Sequence, residues 1–424
     1  VSTQGAKPDE HARIRETARR ARAASRVVAA LDGATRSGVL MTLRSLVLDR
    51  TRDILDANAR DMDAARDAGV DAPKLRRLAL SEDSIARLAD GIAQVAAMDD
   101  PVGAVTRESE RDNGLVVRRV RSPLGVIAMI YEARPGVTLD AFALCFKAGN
   151  ACILKGGREA ARSNALLAGL AHRALREHGA PEDAVGSIST IGRDAVRTML
   201  TLSEDIDLVI PRGGEALIRF VHEHARVPTV LHFKGVCHIY VDEDADLDRA
   251  LDIVASAKTS NPATCNTVEC VLVHESVSGA FLPRLKASLD RLGVELRADP
   301  RARALAPDAA LATDDDWGRE YLDLILACRV VDSMDEAIEH IERFGSDHTE
   351  AIVTRDGGNA EAFTRRVGSS CVLVNASTRF NDGYQLGLGA EIGISTSRIH
   401  AYGPMGLEGL TIERWVVLGD GQTR

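Results

Sequence analysis

From Arg118 onward short β-branched runs alternate with amphipathic stretches, and that alternation limits the possible folds more tightly than any other feature of the chain. Residues 124–130, 151–154, 207–210 and 229–233 read as buried strands, with helical segments between them such as 163–178, which Gly179 would cap. A second series runs through 238–241, 247–258, 268–273, 281–292, 324–331, 335–344, 351–354 and 371–374. Strands that alternate regularly with helices build a parallel, doubly wound sheet, because each return to the same edge needs a crossover. Two α/β domains are therefore expected. Ahead of them, Val39, Leu40, Leu43, Leu46, Val47 and Ile54 recur at three- and four-residue spacing, which predicts a helical packing layer. Two segments fit neither series. Residues 114–121 and 411–418 read as strands that leave the main sheets, and exposed strands take a partner, which points to pairing across a homo-oligomer, dimer or tetramer.

The composition excludes several function classes. A chain of 424 residues with 45% hydrophobic and 27% charged content has room for two or three domains. Its formal net charge of -9 gives no global basic field for nucleic acid or an anionic membrane, so an anionic ligand must be met by local Arg and Lys. Residues 1–8 lack the apolar core of a signal peptide, and runs such as 124–130 are too short to span a membrane. Seven cysteines, an odd number with no CxxC pair, indicate free thiols in a reducing compartment rather than disulfides or a zinc site. The expected location is the cytoplasm.

Cys265 closes the loop Ser260-Asn261-Pro262-Ala263-Thr264-Cys265-Asn266 between a helix-patterned stretch and a strand-like run. Two readings are open for it. Free cysteine is among the most buried residue types, which favours a core thiol. Its neighbours are Asn, Pro and Thr rather than aliphatics, which favours an exposed nucleophile with backbone N–H groups converging on the attacked oxygen. Cys270 lies inside an apolar strand run, where packing explains it. Gly387-Leu388-Gly389-Ala390-Glu391-Ile392-Gly393 has the wrong spacing and no strand–turn–helix frame for a dinucleotide fingerprint, and His222-Glu223-His224 sits on a helix pattern whose i and i+2 side chains point apart. Lys155-Gly156-Gly157-Arg158-Glu159 follows a strand and precedes a helix, where a doubly wound sheet presents its ligand loops. Pro211-Arg212-Gly213-Gly214-Glu215 repeats the arrangement before the helix pattern 216–224. Each loop also reads as a solvated turn. Together they support a nucleotide-dependent enzyme with a cysteine nucleophile.

In order along nearly the whole chain, a set of motifs resembles the γ-glutamyl phosphate reductases, a branch of the aldehyde dehydrogenase superfamily. They are residues 21–26, Pro123-Leu124-Gly125-Val126-Ile127, Tyr131-Glu132-Ala133-Arg134-Pro135, Lys155-Gly156-Gly157, Ile210-Pro211-Arg212-Gly213-Gly214 and Pro262-Ala263-Thr264-Cys265-Asn266 with Glu269. Glu320-Tyr321-Leu322-Asp323, Val374-Asn375-Ala376-Ser377-Thr378-Arg379-Phe380, residues 387–396 and Gly403-Pro404-Met405-Gly406-Leu407 complete the set. The resemblance implies an aldehyde dehydrogenase-like fold: a cofactor domain from 1–105 and 123–235, a catalytic domain from 236–400, and a small β oligomerisation element from 106–122 and 401–424. It implies NADPH-dependent reduction of L-glutamyl 5-phosphate to L-glutamate 5-semialdehyde and phosphate, without a metal, on the way to proline. By position Cys265 matches the nucleophile, Lys155 the lysine near the adenosine ribose, and Glu320 the glutamate that holds the nicotinamide ribose. Gly156, Gly157, Arg212, Gly213 and Gly214 fall in the cofactor loops, and Arg158 would grip a 2′-phosphate.

The match has two gaps. The superfamily's general-base glutamate falls near His232-Phe233-Lys234-Gly235, where there is none, and its oxyanion asparagine falls near Ala133. The absent base favours a reductase over the alternative, a hydrolytic semialdehyde dehydrogenase of the same superfamily. The Cys265 backbone N–H and the Asn266 backbone or side chain are the candidate oxyanion donors. Arg134 and Arg379 are either anchors for phosphate or α-carboxylate or members of structural salt bridges. The lability of the acyl phosphate suggests a transient partnership with glutamate 5-kinase.

Overall fold

The structure is a computed structural model that describes residues 8–189, 192–231 and 234–424. The chain forms two compact units, one comprising residues up to 231 with 388–393 and 405–424, the other 232–387 with 394–404.

The first unit opens with α1 (Pro8–Ala30), α2 (Gly33–Asp49), α3 (Thr51–Asp67), α4 (Ala72–Leu78) and α5 (Glu82–Ala97). Side-chain caps set the starts of three. Asp32 accepts from the Thr35 N–H, Asp71 from the Lys74 N–H, and Ser81 and Ser84 form a reciprocal capping box. The expected apolar stripe of α2 is buried at Val39, Leu40, Leu43, Leu46 and Val47, and Ile54 of α3 joins it. β1 (Val105–Glu110) and β2 (Val116–Pro123) then leave as an antiparallel pair. The chain returns through β3 (Val126–Tyr131), α6 (Val137–Lys147), β4 (Ala151–Lys155), α7 (Ala161–Glu177), β5 (Val185–Ser187), α8 (Arg193–Leu200), β6 (Leu208–Arg212) and α9 (Glu215–His224). The four strands from β3 to β6 pair in parallel in the order β5-β4-β3-β6. All six residues of β3 are buried, as a strand covered on both faces requires. Gly179 takes φ +66 just after α7, the left-handed stop expected there.

Of the strand expected at 229–233, the described residues 229–231 form no strand. Thr229 makes a single bridge to Val209, and Pro228, lacking an N–H, has nothing to donate to the preceding rung. His232 and Phe233 lie outside the described residues, as do residues 1–7, on which most of the expectation about a leader rests. No described helix is long and apolar enough to cross a membrane.

The second unit contains β7 (Cys237–Val241), α10 (Leu247–Thr259), β8 (Val268–His274), α11 (Glu275–Arg291), β9 (Glu295–Ala298), α12 (Pro300–Leu305) and β10 (Ala310–Leu311). It continues with β11 (Ile325–Val331), α13 (Met334–Phe344), β12 (Thr349–Val353), α14 (Gly357–Arg366) and β13 (Cys371–Val374), then the short antiparallel pair β14 (Ile394–Ser395) and β15 (Gly403–Pro404). Its seven-stranded sheet has the order β10-β9-β11-β8-β7-β12-β13, parallel throughout. The pattern reading missed β1, whose residues are nearly all exposed and show no alternation, and β5, β9, β10, β14 and β15, which at two to four residues are too short to show a period.

The chain ends with β16 (Thr411–Leu418), which returns to the first unit and pairs antiparallel with β2 from Thr411↔Pro123 to Leu418↔Val116. The two segments that left the main sheets are therefore strands, and each is a partner of the other in a three-stranded sheet, β1-β2-β16. Ile412, Trp415, Val417 and Leu418 remain exposed on the outer strand.

Candidate functional site

In the second unit three connections enter adjacent strands of the sheet at their amino-terminal ends. Residues 234–236 enter β7, residues 260–267 enter β8, and residues 317–324 enter β11. Gly235, Cys265 and Glu320 lie on these three connections. Strand adjacency thus brings together residues that are up to 85 positions apart in sequence. The doubly wound rule places ligand loops at the carboxyl ends of strands. Here the cysteine lies at the opposite edge.

The loop that carries Cys265 is knitted around Asn261. The Asn261 carbonyl accepts from the hydroxyls of Thr264 at 3.0 Å and Thr267 at 2.7 Å, and its side chain accepts from the Ala263 N–H at 3.3 Å. Cys265 is half-buried at this turn, whereas Cys270 on β8 is buried and its thiol is pushed well above the usual range by desolvation. Beneath the loop the buried Cys237 thiol donates to the Cys265 carbonyl at 3.2 Å. A Cβ on Gly235 would collide with that same carbonyl, so only glycine permits this approach. The Gly235 N–H donates to Glu320 Oε1 at 2.8 Å, and Lys234 Nζ donates to the Gly318 carbonyl at 2.6 Å. Cys265 and Glu320 are therefore linked through one glycine.

Arg379 reaches the same loop, its guanidinium donating to Thr264 Oγ1 at 2.5 Å and Ser260 Oγ at 3.2 Å. A cation stands one residue from the nucleophile candidate. The Asn266 side chain is buried and its amide donates to the carbonyls of Asn381 at 2.9 Å and Arg379 at 3.5 Å. That amide holds the loop to the residues after β13. Among the two donors considered on Asn266, the geometry therefore favours the backbone.

The first unit gathers the other candidates. Ile130 pairs with Lys155 on one side of β3, and Tyr131 with Arg212 on the other, so the two glycine loops flank one strand end at two inter-strand spacings, about 10 Å. Lys155 is nearly buried, its ammonium donates to the Gly156 carbonyl at 2.8 Å, and desolvation lowers its pKa against the pull of Glu159. Arg158 is exposed. The Gly214 N–H, at the start of α9, donates to Glu132 Oε2 at 3.2 Å, and the Ala133 N–H, on a residue with φ +44, donates to Glu159 Oε1 at 2.6 Å. Arg134 is exposed on the next turn of this unit, while Arg379 belongs to the other.

Sequence reasoning missed two features. Gly235 carries no local signal of its contact with Cys265. Lys258 and Glu269 flank the loop and form an ion pair of 2.6 Å with side chains 0% and 1% exposed. Glu269 is pushed up to about 7 by burial, with Lys258 opposing. A search for charged pairs across loop necks would have found it.

One buried cluster among the described residues, His238, Cys270 and His340, has the ligand types of a cation site. Arg329 donates to His340 Nδ1 at 3.0 Å, so the ring proton sits on Nε2, 3.8 Å from the Cys270 sulfur. That proton occupies the lone pair a cation would need. His222 and His224 are not part of the cluster.

Comparison with known proteins identifies the family. The model of the aldehyde dehydrogenase family matches residues 5–309. The chain is 52% identical over 411 residues to a gamma-glutamyl phosphate reductase of Xylella fastidiosa (strain M23), covering 97% of each chain, and 52% identical over 403 residues to one from Salinibacter ruber, covering 95% of this chain and 92% of that one. The crystal structure of a gamma-glutamyl phosphate reductase from Thermotoga maritima superposes with a TM-score of 0.95 at 42% identity, over 97% of this chain and 99% of that one.

Proposed function

The chain belongs to the aldehyde dehydrogenase family, and within it to the gamma-glutamyl phosphate reductases, and from that premise we propose that it reduces L-glutamyl 5-phosphate to L-glutamate 5-semialdehyde with NADPH through a thioester on Cys265. The observation that carries the residue assignment is the contiguity of Cys265, Gly235 and Glu320 on connections into three adjacent strands.

The Cys265 thiolate attacks the γ-carbonyl, the carbon–sulfur bond forms, and phosphate leaves with its electron pair, needing little acid assistance. The oxyanion is met by the backbone N–H groups of Cys265 and Asn266. Arg379, fixed beside the loop, anchors the departing phosphate or the substrate α-carboxylate, and Arg134 takes the other role.

A nicotinamide cofactor fits the residues of the first unit. Two glycine loops bearing Lys155, Arg158 and Arg212 suit an extended anion, and the start of α9 already attracts the Glu132 carboxylate. Lys155, Gly156, Gly157, Arg158, Arg212, Gly213 and Gly214 would hold its adenosine and phosphate parts, and Glu320 the nicotinamide ribose. When bound, the cofactor supplies the hydride that reduces the thioester. The resulting thiohemiacetal on Cys265 collapses, the carbon–sulfur bond breaks, and the aldehyde leaves.

Residues 1–105 and 123–235 then serve as cofactor domain, 236–400 as catalytic domain, and 106–122 with 401–424 as the surface of a homo-oligomer. The exposed apolar residues of β16 support the last assignment. The reaction belongs to proline biosynthesis in the cytoplasm, with glutamate 5-kinase as a transient partner. The test is NADPH oxidation with L-glutamyl 5-phosphate generated by glutamate kinase and ATP. Cys265→Ala should abolish it in a folded protein; activity retained there would overturn the assignment of the nucleophile.

A further inference from the structure

Lys258, near the end of α10, and Glu269, near the start of β8, stand on either side of the loop 260–267 and close its neck. Lys258 Nζ also donates to the Val268 carbonyl at 3.2 Å. The second carboxylate oxygen of Glu269 accepts from the Leu322 N–H at 3.3 Å, and Lys258 Nζ stands 5.9 Å from the centre of the Tyr321 ring. Leu322 holds φ +55, a left-handed conformation that is unfavourable for a branched L-residue and persists only where its surroundings fix it. Two residues earlier on the same turn lies Glu320, tied to Gly235 and through it to Cys265.

We propose that Lys258 and Glu269 are a positioning pair that fixes the Glu320 turn relative to the Cys265 loop, with the Glu269 oxygen that receives the Leu322 N–H as the acting group. This rests on Cys265 as nucleophile and Glu320 as the cofactor-side carboxylate. A buried ion pair rarely stabilises a fold more than apolar residues of the same volume do, so fold stability alone does not account for its place. Nor does general-base work suit Glu269. Its side chain is 1% exposed and both its oxygens are engaged within the protein, so water has no approach to it. The charged and titratable groups that face the pair are Glu320, Tyr321 and Asp323 on the turn and Cys237 on β7.

Two double variants separate the readings. Lys258→Met with Glu269→Leu removes both charges and the acceptor, while Lys258→Met with Glu269→Gln removes the charges and keeps an acceptor for Leu322. Thermal unfolding, kcat and the KM for NADPH are measured for both. The Leu variant should fold with a Tm near that of the parent and show KM raised and kcat lowered, each about tenfold or more, as a misplaced reacting pair implies. The Gln variant should recover to within about threefold. A Leu variant with parental kinetics, a Gln variant as impaired as the Leu variant, or a Leu variant that does not fold would each assign the pair to the fold alone and overturn the proposal. Cys265→Ala and Glu320→Gln in the parental background report separately on the reading beneath it.

Discussion

Cys265 and Cys270 are five residues apart and differ in exposure and in setting. One is half-buried on a turn built from side-chain hydrogen bonds, and the other is buried in a strand where desolvation suppresses its thiolate. Cys270→Ala should therefore retain most turnover while Cys265→Ala has none, measured as NADPH oxidation by both proteins at equal folded concentration. Arg158 is the second residue with a separable effect. Its exposed guanidinium ends the Lys155 loop, and a charge-assisted contact to a 2′-phosphate is worth about 1.5–3 kcal/mol. Arg158→Ala should raise the KM for NADPH by roughly 10- to 150-fold and leave that for NADH nearly unchanged. Equal losses with both cofactors would remove Arg158 from that role. The sequence marks these residues as candidates because each sits inside a local motif. It does not mark Gly235, since its reason is a carbonyl 30 residues away in the chain.

At the scale of elements, α7 shows why helix starts are harder to read than helix ends. Gly179 announces the end of α7, but its first turn has no cap of its own. Asp61 supplies one from α3: its buried carboxylate accepts from the Ser163 N–H and hydroxyl, both at 2.8 Å, and from the Arg162 N–H at 3.2 Å. A carboxylate at a helix amino end also meets the positive end of the dipole. Because α7 follows the Lys155–Arg158 loop, the same contact sets the direction from which that loop leaves β4. Asp61→Ala should cost about 2–3 kcal/mol, read as a lower urea midpoint at unchanged m-value, and should raise the KM for NADPH more than it lowers kcat. An unchanged midpoint would mean that the first turn of α7 is held by packing alone. Most strands and helices are visible as period; β1 is not, because its face is exposed and carries no alternation, and β5, β9, β10 and the described part of 229–233 are not, because so few residues carry too little pattern to outweigh one proline.

For the molecule as a whole, the decisive property is what can take an acyl group from Cys265. No glutamate occurs in 232–235, and the buried carboxyl nearest in sequence, Glu269, is engaged on both oxygens and shielded from solvent. With the acyl group on Cys265 as proposed, neither position gives water a general base, whereas phosphate is itself a nucleophile for which Arg379 is the proposed anchor. Run in reverse, with L-glutamate 5-semialdehyde and NADP⁺, the enzyme should sustain NADPH formation beyond one turnover only with added phosphate, the steady rate rising with phosphate and saturating as the anion site fills. The semialdehyde cyclises to pyrroline-5-carboxylate, so initial rates are taken on freshly opened substrate. Arsenate should replace phosphate and drive the reaction further, because its acyl product hydrolyses at once and removes the back reaction. In the absence of both anions a single turnover should appear as a burst equal to the enzyme concentration, the acyl group then remaining on Cys265. Sustained turnover without either anion would show that water reaches the thioester with a base to help it, and the hydrolytic semialdehyde dehydrogenase would replace the reductase as the activity of this chain.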